Sequence, residues 1–235
     1  MIPWLGSSLQ FPPVSQALAE PDGLLAAGGD LSAARLLAAY RHGIFPWYSP
    51  GDPILWWSPA SRMVLDVNAL RTPRAFAKVL RNRRYRVCFN HDFEAVIRAC
   101  AAPRDGHRGT WIVEEMIQAY LRLHQAGHAH SVETWQDGQL VGGLYAVCVG
   151  QMVYGESMFS RVADASKIAL AHLARQMQAY GLSLIDCQMY TDHLARLGAA
   201  PMPREDFIAA VSLRVSQPTP TSLWQYCFDN EPSRP

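Results

Sequence analysis

Apolar and polar positions change period several times along the chain, and each change marks an element. Tyr85 to Phe89 is an apolar run of strand length. Asp92 to Ala101 and Val113 to Gln125 repeat at three and four and read as helices, the second stopped by Gly127. His130 to Trp135 and Leu140 to Val149 flank an Asp137-Gly138 turn, and Gly150 turns the chain into a third strand from Met152, so a three-strand antiparallel meander is expected. A helix from Asp164 to Tyr180, ended by Gly181, crosses to an apolar strand at 184 to 188. A crossover of that length suits a parallel neighbour of the third strand. Trp224, Tyr226 and Phe228 alternate as if packing a last strand.

The first 62 residues follow another rule. They hold eight of the sixteen prolines, with aromatics and glycines in short clusters. One helix breaks the pattern, from about Ala33 to Arg41, with Asp30 or Ser32 as cap, Leu36, Leu37 and Tyr40 on one face and Gly43 as the stop. We therefore expect an α+β protein: a small irregular N-terminal domain, 1–62, and a mixed-sheet domain, 63–235. The order of meander, helix and parallel strand is similar to acyltransferases of the GNAT type, and many α+β domains share it.

Polar groups interrupt the apolar strands around the crossover helix. Glu156 lies in one, and Asp186 and Gln188 lie in the other. Buried polar groups cost stability unless paired, so such a cluster suggests chemistry. Strand alternation puts Asp186 and Gln188 on one face, roughly 7 Å apart, and Glu156 with Met158 on one face. The structural alternative for Asp186 is a buried carboxylate tied to Ser166 and Lys167 on the helix.

Composition narrows the partners. The chain has 235 residues, 49% of them apolar, enough for a sizeable core, and a net charge of +1 exerts no global pull on nucleic acid. Locally the picture reverses, because Arg71, Arg74, Lys78, Arg81, Arg83, Arg84 and Arg86 follow one another with no acid between them. A helix would present Arg71, Arg74, Lys78 and Arg81 as one stripe suited to a phosphate backbone, or simply as a solvated face. Phe76 and Tyr85 within this run read as core. Trp47 and Trp111 sit in loops, where a tryptophan can stack an unpaired base for about 1 to 3 kcal/mol or pack into the core. The tandem Trp56 and Trp57 read as packing against the second domain.

Other chemistries find no footing. Five widely spaced cysteines without a CxxC pair argue against a disulfide framework or zinc site and read as reduced thiols in a cytoplasmic protein. His124, His128 and His130 straddle the helix stop at Gly127 and have no Asp or Cys at ligand spacing, so no metal is expected. Gly155-Glu156-Ser157 lacks the glycine of a nucleophile elbow, and Gly28-Gly29-Asp30 lacks the Lys-Ser/Thr of a P-loop. Ser160 to Ala165, before the long helix, contains no glycine to cradle a CoA pyrophosphate. No cofactor, export signal or membrane span is expected.

The long motifs EPDGLLAAGGDLS (20–32) and YRHGIFPWYSPGDPILWWSP (40–59), with GTW (109–111), GHAHSVE (127–133), VGGLY (141–145), GESMFSR (155–161), ASK (165–167), LIDCQ (184–188) and LGA (197–199), resemble the bacterial leucyl/phenylalanyl-tRNA:protein transferases over nearly the full length. The resemblance implies transfer of Leu or Phe from aminoacyl-tRNA to an N-terminal Arg or Lys of a protein, which marks that protein for degradation. It implies the partners too: charged tRNA and such acceptors, with no DNA and no membrane, and the enzyme is expected to be a monomer. By matching position it implies Asp186 and Gln188 as the catalytic pair and Glu156 beside the aminoacyl group. Trp47 and Trp111 would hold the terminal adenosine, and Arg74, Lys78 and Arg81 would face the acceptor stem. Leu144, Val153, Met158, Leu170, Met177 and Ile185 would line the amino-acid pocket. Val153 and Met177 stand where relatives can carry bulkier aromatics, which leaves the Leu/Phe preference open, and a flexible wall would also admit Met. The acidic pair Glu156 and Asp186 is expected to receive the acceptor's cationic side chain, and Asp186 to order the attacking amine directly or through Gln188.

Overall fold

The computed structural model describes residues 2–103 and 112–230. The chain opens with strands β1 (Trp4–Leu5) and β2 (Leu24–Gly28), helix α1 (Ala33–Arg41), and strands β3 (Phe45–Pro46) and β4 (Leu55–Trp57). These strands form a sheet in the order β1-β2-β4-β3. Of the two expected caps, Ser32 holds α1, its hydroxyl accepting from the Arg35 amide. Gly43 turns the chain after α1 at φ +69°, a backbone state that costs glycine least. Trp56 is fully buried and donates its indole N–H to the Gly28 carbonyl at 2.9 Å. Apolar residues of this part, including Leu25, Leu36, Tyr40 and Trp56, join one continuous core with Val96, Met116, Tyr145 and Phe207 from further along the chain.

The larger unit begins with β5 (Ser61–Asp66), so the boundary expected at residue 62 falls inside a strand. Helix α2 (Arg74–Asn82), β6 (Arg86–Phe89), α3 (Phe93–Ala101) and α4 (Glu114–Gln125) follow. Next come β7 (Ala129–Gln136), β8 (Gln139–Val149), β9 (Met152–Ser160), α5 (Ala165–Ala179) and β10 (Leu184–Asp186). The chain closes with α6 (Asp192–Leu197), β11 (Ala200–Pro203), α7 (Arg204–Val215) and β12 (Cys227–Asp229). The strands form a sheet in the order β11-β5-β10-β9-β8-β7-β6-β12. The meander β7-β8-β9 is as expected, and β10 lies parallel to β9 after the α5 crossover. One sheet face carries the core shared with the N-terminal part, and the other buries Val132, Leu144, Ala146 and Val153 against α5.

Two sequence expectations fail here. Cys88 and Cys227 form a disulfide rather than standing as reduced thiols, because antiparallel pairing of β12 with β6 sets them opposite each other, 4.2 Å apart at Cα. Their separation of 139 residues hid that register. The strand expected at 184 to 188 ends at Asp186, and Gln188 adopts a left-handed φ of +62°. Asp186 and Gln188 therefore do not share a strand face.

The start of α5 sits flush on β8. A Cβ on Gly142 would lie 2.4 Å from the Ala165 Cβ and 2.8 Å from its carbonyl carbon, while the Thr134 hydroxyl bonds the Ala165 carbonyl at 2.9 Å. Gly142→Ala should thus overpack the junction and lower unfolding free energy by about 1–3 kcal/mol, read as an earlier urea midpoint with an unchanged slope.

Candidate active site

Two irregularities open the sheet next to its polar residues. On β9, Ser157 pairs with Tyr145 and Gly155 with Ala146, which makes Glu156 the inserted residue of a β-bulge. β10 pairs with β9 only at Val153 and Tyr154, whereas β9 runs on to Ser160, so the parallel strands part beyond that point. A cavity of about 500 Å³ lies there, with Trp47, Leu144, Glu156, Met158, Leu170, Ile185 and Gln188 in its lining. That size is typical of small-ligand sites.

The bulge shifts the phase of the strand. Glu156 reaches Tyr40 and Tyr120 in the shared core, while Met158 packs against the α5 side, so the two are not on one face as alternation implied. Val153 and Met177 do not reach the cavity; both are fully buried in the layer between sheet and α5. Asp186 does not line it either. It is wholly buried behind Gln188.

The partner of Asp186 is Arg62, from β5. Asp186 Oδ1 accepts from Arg62 Nε at 2.8 Å and Oδ2 from Nη2 at 2.6 Å, while Arg62 Nη1 donates to the Gly43 carbonyl at 2.9 Å. The guanidinium lies between the rings of Phe45 and Phe207, 4.5 and 4.6 Å from their centroids. Ser166 and Lys167, the alternative partners expected on the helix, bond Ser160 and Asp164 instead. Asp186 Oδ1 also accepts from the Gln188 amide at 2.8 Å, and the Gln188 carbonyl accepts from the Met63 amide at 3.1 Å. Gln188 is thereby pinned on both sides in its left-handed conformation. Its side-chain Nε2 is buried beside the Glu156 carboxyl, near enough to favour the charged form but outside hydrogen-bond geometry.

Glu156 has quite different neighbours. Tyr40 donates to Oε1 at 2.8 Å and Tyr120 to Oε2 at 3.2 Å, and the two hydroxyls are 2.5 Å apart. Burial pushes the carboxyl up to about 7, with the charge of Asp186 adding to the rise and the donors Tyr40, Gln188 and Tyr120 opposing it. Burial likewise raises both tyrosine hydroxyls well above their usual range. Tyr40, Tyr120 and Arg62 escaped the sequence reading. Tyr40 was legible as a core-facing residue of α1, but nothing local named its partner across the fold.

Of the nucleic-acid candidates, Trp47 belongs to the cavity lining and the basic side chains of α2 do not. Trp47 is 38% exposed, and its ring meets Trp57 edge-on at 5.6 Å. Arg74, Lys78 and Arg81 are exposed on α2 above buried Phe76. Just beyond α2, Arg83 bonds the Ala163 carbonyl and ties this basic segment to the start of α5. Trp111 lies outside the described residues. Among the described residues no helix is long and apolar enough to cross a membrane, and no group of three His, Cys, Asp or Glu could hold a metal ion.

Comparisons with known proteins agree over the whole chain. Residues 64–212 match the model of the leucyl/phenylalanyl-tRNA protein transferase family, and residues 29–60 match the model of its N-terminal domain. A leucyl/phenylalanyl-tRNA–protein transferase of Chromobacterium violaceum is 58% identical over 233 residues, 99% of this chain and 100% of the relative. One of Laribacter hongkongensis is 55% identical over 233 residues, also 99% of this chain and 100% of the relative. The crystal structure of FemX overlays with a TM-score of 0.49 at 12% identity, over 73% of this chain and 66% of FemX, a likeness too slight to bear on function. The mixed α+β fold with its lined cavity is thus that of an aminoacyltransferase. The chain belongs to the leucyl/phenylalanyl-tRNA protein transferase family.

The Glu156 environment has a stability consequence. A carboxyl raised in the folded state binds its proton more tightly there, so the associated stability is complete below the unfolded value of about 4.5 and is lost as pH rises to about 7. Glu156→Gln, neutral throughout, should gain on wild type by about 3 kcal/mol between pH 4.5 and 8. Denaturant unfolding of both proteins across that range measures it; a pH-independent difference would contradict the assignment.

Proposed function

We propose that the protein transfers leucine or phenylalanine from aminoacyl-tRNA to the α-amino group of an N-terminal Arg or Lys on an acceptor protein, creating a degradation signal. The observation that carries this reading is the cavity: an apolar recess of about 500 Å³ with a buried acid and an amide donor in its lining and an exposed tryptophan beside them. In this reading Leu144, Met158, Leu170 and Ile185 hold the Leu or Phe side chain, and a flexible Met158 also admits methionine. Val153 and Met177 act from behind the wall, setting its depth. Trp47, with Trp111, stacks the terminal adenine, and Arg74, Lys78 and Arg81 track the acceptor-stem phosphates. The parting of parallel β9 and β10 supports a GNAT-like catalytic domain, 63–235, beside a small domain, 1–62. A reaction that draws on charged tRNA belongs in the cytoplasm.

An aminoacyl ester is already activated, so the reaction calls for alignment rather than ATP or a covalent intermediate. Gln188 Nε2, a buried donor without a hydrogen-bond acceptor, is suited to meet the oxyanion of the tetrahedral intermediate. Asp186 then works through Gln188: its carboxylate holds the Gln188 amide and its own charge is matched by Arg62. The same pairing removes Asp186 from the acidic pair expected to receive the acceptor's cation, leaving Glu156 as the acid in the cavity lining. The 3′-oxygen of the terminal ribose leaves.

The test is transfer of labelled leucine and phenylalanine from charged tRNA to peptides that begin with Arg, Lys or Ala. Arg and Lys peptides should be labelled and the Ala peptide should not; equal labelling of the Ala peptide overturns the acceptor assignment. Gln188→Ala should slow transfer by about 10²–10³-fold with tRNA binding retained. An undiminished rate removes Gln188 from the chemistry.

A further inference from the structure

We propose that Glu156, and not Asp186, takes the proton from the acceptor's α-ammonium group before the amine attacks the aminoacyl ester. The inference rests on the transfer reaction proposed above and assigns its proton acceptor. Asp186 is wholly buried, lies outside the cavity lining, and has both oxygens bonded to Arg62. Glu156 belongs to the cavity lining and has no cationic partner among the described residues; its oxygens accept from two tyrosine hydroxyls, with the Gln188 side-chain amide beside them.

Proton counting gives the arrangement its meaning. Glu156, Tyr40 and Tyr120 make three mutual contacts. With Glu156 ionised, two hydroxyl protons must serve all three. With Glu156 neutral, each group donates once and the ring closes, with the heavy atoms where they already stand. The site can therefore load one proton without rearrangement. The charged and titratable groups around it fit that role. Tyr40 from α1 and Tyr120 from α4 donate, Tyr145 from β8 and Tyr154 from β9 face it as neutral phenols, and Asp186 from β10 is matched by Arg62 from β5. Burial holds the Glu156 carboxyl at about 7, close to an α-amine near 8, so transfer between them is nearly balanced.

The step balances as follows. An N–H bond of the ammonium breaks and an O–H bond forms on Glu156. The freed nitrogen lone pair forms the N–C bond at the ester carbonyl, whose electron pair moves to oxygen. Collapse of that intermediate breaks the bond to the ribose 3′-oxygen, which receives a second proton from the amine. Glu156 returns its proton to solvent after the products leave.

The experiment is single-turnover transfer from charged tRNA to saturating Arg peptide between pH 5.5 and 9. Wild type should show a rate inflection near 7. Glu156→Gln should lose that inflection, fall by about 10²–10⁴-fold at neutral pH and recover only as rising pH takes the proton from the acceptor ammonium. Tyr120→Phe removes a donor that favours the carboxylate, so its inflection should move to higher pH. A merely structural Glu156 would not shift with Tyr120. A wild-type profile in Glu156→Gln, or an unmoved inflection in Tyr120→Phe, overturns the proposal. Where Glu156→Gln fails to bind tRNA, the Tyr120→Phe inflection decides. Absence of wild-type transfer to any acceptor defeats the transfer reading itself, and this assignment with it, whereas wild-type transfer with unmoved profiles defeats this assignment alone.

Discussion

The buried pair of Arg62 and Asp186 is the constraint around which the site is organised. Taking two charges out of water costs several kcal/mol per ion, which mutual attraction offsets only when geometry is good and the remaining donors find acceptors. Both conditions hold: two charge-assisted bonds join the pair, a third reaches the Gly43 carbonyl, and Phe45 and Phe207 cover the guanidinium faces. The contact thus gathers β5, β10, the turn after α1, β3 and α7 at one point. Since an apolar replacement of such a pair is often neutral or stabilising, its value here is positional. Asp186 fixes where the chain leaves β10, and so where Gln188 points.

The site's two carboxylates differ through their neighbours. Asp186 is matched by a guanidinium and withdrawn from the cavity. Glu156, displaced by a bulge, meets two phenols and an amide donor, and burial pushes its carboxyl up to about 7. One side chain orders, and the other is free to exchange a proton. The same bulge and the parting of β9 from β10 open the cavity beside them, so the irregularities of the sheet, and not its regular register, create the place for chemistry.

How much of this was legible in the sequence follows from range. The meander, the α1 cap and the parallel crossover rest on local periodicity and turn residues, and they stand in the structure. Leu144, Met158, Leu170, Ile185, Glu156, Gln188 and Trp47 do gather around one cavity. What local pattern could not carry was partnership between distant segments: Arg62 with Asp186, Tyr40 and Tyr120 with Glu156, Cys88 with Cys227. Strict alternation also misplaced side chains wherever the backbone left the strand, at the Glu156 bulge and the left-handed Gln188. Val153 and Met177 show the reverse error. They are apolar and close by, yet packing against α5 absorbs them.

The most direct test of this account is a double-mutant cycle on transfer rate with Arg62→Lys, which keeps the charge but loses the two-pronged bond, and Asp186→Asn. If the pair acts only by holding Gln188, each change should slow transfer with tRNA affinity kept, and the double variant should be no slower than the worse single. Losses that multiply would mean that Asp186 contributes to the reaction independently of Arg62, and would contradict the central claim.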